Sequence, residues 1–181
     1  MSIPVSELQK INPSSLIELF TLSLDSNLHG NSDVFRFHNG SSPNANGEVI
    51  WNSQSYLRYP ISCTGFSQSG NSSLPRPKLT VSNLLSLLTA LMLNTNKVTP
   101  GVDLNGSTLV RIRTLARYLD AANWSTGTNP YGTPSPTTEL PRQVFYLDRK
   151  VTETRDIVEW ECASAFDLAF GPKVPKRLVT R

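Results

Sequence analysis

The chain has 181 residues, 38% of them hydrophobic and 17% charged, with a formal net charge of +3. Ser, Thr and Asn, with 13 Pro and 10 Gly, fill much of the rest, which excludes a helical bundle, a coiled coil and a charged disordered chain. No run approaches the ~18 apolar residues of a membrane helix, and a chain of this length buries roughly 70% of its unfolded surface without a metal or disulfide to hold it.

Residues 5–10 suit a short helical turn, which Pro13-Ser14-Ser15 ends. Leu16, Glu18, Phe20, Leu22 and Leu24 then alternate with Ile17, Leu19, Thr21 and Ser23. That is the period of a strand with one strongly apolar face and one mixed face. A polar turn over 27–32 leads to a second strand over 34–38. Residues 40–47 are Ser, Pro, Asn and Gly, the composition of an exposed tip. A third strand begins at 49–51, with 56–59 as its hairpin partner until Pro60 ends the run. Residues 61–66 form a further short alternating piece and 67–73 a loop. Pro75 and Pro77 hold 74–78 extended.

The one convincing helix covers 84–93, with Ser82 or Asn83 as its N-cap. Only Ser86 and Thr89 interrupt its apolar run, so it should be covered on nearly all sides, by the core or by another subunit. After a linker over 94–106, residues 109–119 are the longest strand candidate. Val110, Ile112, Ala116 and Tyr118 fall on one face, and Arg111, Arg113 and Arg117 on the other. A long loop over 124–136 precedes the clearest hairpin, 144–151 and 156–163. Val158, Trp160 and Cys162 face its core, and Ile157, Glu159 and Glu161 face away. The fold class is mostly β, a barrel or sandwich with one buried short helix. Residues 1–170 form the domain, and 171–181 a basic arm with Pro172, Pro175 and four cations.

The residues hold little catalytic chemistry. His29 and His38 have no second ligand at a metal-binding spacing and read as surface or strand-end histidines. No Ser sits in a nucleophile elbow, and residues 65–70 lack the Lys of a phosphate loop. Glu159 and Glu161 stand roughly 6–7 Å apart on one strand face. A glycosidase pair is conceivable at that spacing, but a solvated face or ion pairs with a neighbouring strand is the better reading. Cys63 and Cys162 read as buried thiols of a protein made in a reducing compartment. Residues 1–9 hold no basic region followed by an apolar core, so no secretory signal is expected. Neither a catalytic nor a metal site is expected. The arginine face can meet phosphates or the carboxylates of an adjacent subunit. No aromatic residues interleave with it, which argues against a stacking platform for single strands.

Several segments go further. Tyr59-Pro60-Ile61, Gly65-Phe66 and the run from Leu74 to Asn83 resemble the signature of the minor tail protein L family of long-tailed bacteriophages. So do Val110-Arg111, the run from Ala116 to Trp124, Leu147-Asp148-Arg149-Lys150, the run from Val158 to Ser164 with Phe166-Asp167-Leu168, and Val174-Pro175-Lys176-Arg177. The order holds from about residue 16 to 177. The resemblance implies a β fold related to the tail tube and a structural role at the distal end of the tail in the virion. It implies a ring, a trimer, between the tube with its distal tail proteins and the central host-recognition protein, needed for tail assembly in the host cytoplasm. Proximity to DNA or the tape measure in the lumen follows, and no membrane contact. A DNA-contacting basic β module is the alternative. Interface residues are then Arg76, Asn83, Arg111, Arg113, Arg117 and Asp120. Family members usually continue past the end of this chain, in an extension with cysteines and an associated iron–sulfur cluster. This chain supplies two cysteines, so no cluster or other cofactor is expected on it.

Overall fold

The computed structural model describes residues 2–67, 74–84 and 86–169. The elements run α1 (Val5–Leu8), β1 (Leu16–Ser23), α2 (Ser26–His29), β2 (Val34–His38), β3 (Val49–Trp51), β4 (Gln54–Arg58), β5 (Ile61–Thr64), β6 (Lys78–Ser82), α3 (Leu87–Val98), β7 (Thr108–Leu115), β8 (Leu140–Glu153), β9 (Ile157–Ala163) and α4 (Ala165–Ala169). The mostly-β expectation is borne out: the strands form one sheet in the order β3-β4-β2-β1-β7-β8-β9-β6-β5.

The sheet closes on itself. β4 runs into β5 across Tyr59-Pro60, and this bent segment bonds on both sides. Tyr59 N–H donates to His38 O at 2.9 Å on the β2 side, and Ser82 N–H to Pro60 O at 3.0 Å on the β6 side. The β4–β2 pair is parallel, and every other strand pair is antiparallel. A closed sheet leaves few open edges for unwanted pairing.

Two apolar clusters cover the two faces of β1 and β7. The inner one holds Phe20, Leu22, Leu79, Phe145, Leu147, Val158, Trp160 and Cys162, with Met92 from α3. The outer one packs Leu19 and Ile112 against Val49, Trp51 and Tyr56 of the β3–β4 hairpin and against Leu119. This hairpin turns through Asn52 and Ser53, both at positive φ (53° and 58°), the backbone a two-residue turn of this hand requires.

Four sequence expectations need correction. The helix is displaced to Leu87–Val98 and is not covered all round. Met92 and Thr95 are buried, whereas Leu93 is 60% and Val98 54% exposed, and Leu84 lies outside it. Its polar second half holds because it bonds the following turn: Asn96 Nδ2 donates to Asp103 Oδ1 at 2.7 Å, and the Asp103 N–H donates to Asn96 Oδ1 at 2.8 Å. Second, β7 ends at Leu115, and residues Ala116–Tyr118 form a 3₁₀ turn, so Arg117 leaves the strand. Third, the arginine face of β7 is the inner one. Arg111 is level with Phe20, and Leu109 with Leu22. Fourth, neither histidine is at the surface: both are buried, although His38 does end β2 as expected. His29 bonds Asp25 and Asn105 O, and His38 bonds Gly47 O at 3.1 Å. Burial holds the His38 imidazole below its usual pKa, partly opposed by that bond. The arm expected over 171–181 lies outside the described residues.

Candidate functional site

At one end of the inner face, β1 and β7 bring Glu18, Arg111 and Arg113 together. Arg111 pairs with the Glu18 carboxylate and donates to Gln143 Oε1 of β8 at 2.8 Å. Its guanidinium also lies over the Phe66 ring, 4.0 Å from the centroid, and Phe66 tilts against Phe145 at 5.6 Å. An arginine enters the wall of an apolar interior only with such partners, because a desolvated charge must be compensated. Its side chain is 13% exposed. Arg113 is level with Glu18 across the ladder. Among the described residues it has no ion pair, and its Nε is buried without an acceptor.

The other expected interface residues are held within the chain. Arg76 is a hub, with Asp167 at 2.6 Å, Glu161 at 2.9 Å and Asp148 at 3.3 Å. Arg149 bonds the same Glu161 at 2.6 Å. The Arg76 and Arg149 hydrogen bonds hold the Glu161 carboxyl below its ordinary pKa. Arg117 reaches the buried Glu7 of α1 at 3.3 Å. Asp120 accepts from the N–H groups of Ser53 (2.7 Å) and Asn52 (3.2 Å), steadying the positive-φ turn. Asn83 too is held within the chain. It is buried, donates to Thr89 Oγ1 at 2.9 Å and to Thr154 O at 3.3 Å, and so ties the start of α3 to the β8–β9 turn. Sequence reasoning missed Glu18, Gln143 and Phe66, whose roles appear only once β1 and β8 flank β7.

A second feature is an apolar groove of about 650 Å³ between α3 and the β2–β4 pair. Phe35, Leu57, Leu88 and Leu91 line it, over a floor that includes Leu79 and Trp160. Leu57 is 59% exposed beside it. Glu159 and Glu161 are strand-face ion-pair partners, Glu159 with Lys78 at 3.0 Å.

The profile of the family described as "Phage minor tail protein L" matches residues 27–181. The chain belongs to the phage minor tail protein L family. A stretch of 92 residues is 38% identical to "Tail tip protein L" of Escherichia phage lambda. That stretch is 50% of this chain and 37% of that relative, so the match spans well under half the relative's length. As a family member the chain is a minor tail protein of a bacteriophage.

The two cysteines do not fit an iron–sulfur cluster, which takes four ligands, usually thiolates. Cys63 on β5 and Cys162 on β9 are free thiols of the inner apolar cluster, separated by β6. Burial pushes the Cys63 thiol up to about 12 and raises that of Cys162 as well, and a metal ligand must be the thiolate. The described residues contain no group of three or more His, Cys, Asp and Glu able to hold a metal ion.

Proposed function

We propose that this chain is a ring component of the phage tail tip. It sits at the distal end, as a trimer, between the tail tube and the central host-recognition protein, and the tail is assembled on it in the host cytoplasm. The observation that carries this reading is the family match over 27–181, together with the name of the lambda relative. The surface suits such a place. Apolar side chains stand exposed along the α3 groove and β4, and a large apolar patch on a soluble domain marks a contact site. A ring contact joins different surfaces of successive copies and closes. Arg76, Arg113 and Arg117 remain exposed enough to contribute to it, and no cluster or other cofactor is held by the two cysteines of this chain.

The DNA-contacting alternative loses its main support. Four of the 17 Lys and Arg lie in 170–181, which holds no Asp or Glu, leaving 13 against 14 carboxylates in residues 1–169. The excess positive charge therefore belongs to the last twelve residues of the sequence. The test is self-association of the purified chain by light scattering, with co-purification of other tail proteins from infected cells. Oligomers and tail partners are expected. A stable monomer that brings down none of them refutes the reading.

A further inference from the structure

We propose that Arg113 is held open for a carboxylate of an adjacent chain in the assembled tail. The inference rests on the tail reading above and names the chemistry of one contact. Arg111 and Arg113 alternate with Ile112 on β7, which puts them on one face roughly 6–7 Å apart. One carboxylate serves both. Glu18 is level with Arg113, yet its Oε1 is held by Arg111. Arg111 gains a second partner in Gln143 and a third in the Phe66 ring. Arg113 gains none among the described residues; the Nε of each arginine is buried without an acceptor, so what separates the two is the partners of the Arg111 terminal nitrogens and ring contact.

Among the described residues no carboxylate pairs with Arg113. All 14 Asp and Glu are among the described residues, because 68–73 and 170–181 contain none. Glu139, next to Leu140 that faces Arg113 across the ladder, gives one oxygen to Arg142 at 2.9 Å and keeps the other buried, without a pair to Arg113. A partly desolvated guanidinium without a counter-charge is costly, and a bidentate carboxylate satisfies both its charge and its N–H groups. A polyanion fits less well, since it needs a row of cations. Here Arg111 is already neutralised, and Arg117 has left the strand and holds Glu7.

The experiment compares Arg113→Met, Arg113→Lys and Arg111→Met, each as isolated chain and in a phage supplied only with that variant. Isolated R113M is expected to melt at or above the wild-type temperature, because an unpaired charge is removed, whereas R111M melts lower. Incorporation of R113M into purified tails, read by quantitative mass spectrometry, is expected to fall about tenfold or more. R113K should restore part of it. Equal incorporation of R113M and wild type overturns the inference. So does a melting loss in R113M as large as in R111M, which makes Arg113 an internal strut. Stabilisation of wild type but not R113M by millimolar phosphate assigns the position to an inorganic anion, and Arg113-dependent DNA binding at low salt assigns it to nucleic acid. Either result also overturns it. Wild-type chain absent from tails refutes the tail reading itself, whereas wild type and R113M present at equal levels refutes this inference alone.

Discussion

Replacing Arg76 by Met removes one guanidinium from three carboxylates and leaves the apolar stem. Arg76 is 43% exposed, Asp148 29%, Asp167 26% and Glu161 13%. Exposed pairs contribute about 0.2–1 kcal/mol each, and Glu161 keeps Arg149 at 2.6 Å. The loss should therefore total about 1–2 kcal/mol. The pH dependence carries the stricter test. Hydrogen bonds from Arg76 and then Arg149 lower the Glu161 pKa from 4.5. A carboxyl depressed by folding stabilises the native state above its unfolded pKa, and that stabilisation is lost as pH falls through the folded value. Urea melts of both proteins from pH 7 downward should show the full gap at neutral pH, narrowing once pH drops below 4.5. A gap unchanged at about pH 3, or none at pH 7, refutes the view that this hub links α4 to the β6–β9 wall by charge.

Trp160 is fully buried in the inner cluster, so Trp160→Ala should cost about 3–5 kcal/mol in a denaturant melt. Its indole N–H has no acceptor, which puts the lower end of that range as the expected result. Gly106 has φ +87°, and an added Cβ would stand 2.6 Å from Leu28 Cδ1. Gly106→Ala should therefore lower stability by about 1–3 kcal/mol, read as a shift of the melting temperature. Cys63 and Cys162 should alkylate slowly at pH 8 in the folded chain, because burial raises both thiol pKa values. Rapid modification before unfolding, followed by mass spectrometry, would show the inner cluster to be open.

Strands with a clear alternation could be read from the sequence: β2 and β3 fall where the period of two places them, and the β8–β9 hairpin turns at the expected polar residues. β6 escaped because Pro75 and Pro77 drew Lys78 into an extended linker and Ser82 into a helix cap. Its strand character comes from pairing with β5 and β9 on its two sides. The helix moved toward Val98 because Thr95 and Asn96 bond the turn at Asp103, an exchange that hydrophobicity along the chain does not carry. The site was half legible. Alternation put Arg111 and Arg113 on one face of β7. Which face is inward depends on the closure at Tyr59-Pro60, and that closure is a long-range property of the sheet. Charges expected to await partners were mostly met inside the chain, by Glu18, Glu161 and Glu7, each distant in sequence.

The proposed place of the chain is the distal tip of the tail. Immunogold electron microscopy of intact and mildly denatured virions, with antibody against this chain, tests it most directly. Label is expected at the distal tail end alone, with the chain recovered from gradient-purified tails by mass spectrometry. Label along the tube or on the head, or purified virions that contain none of the chain, would contradict it.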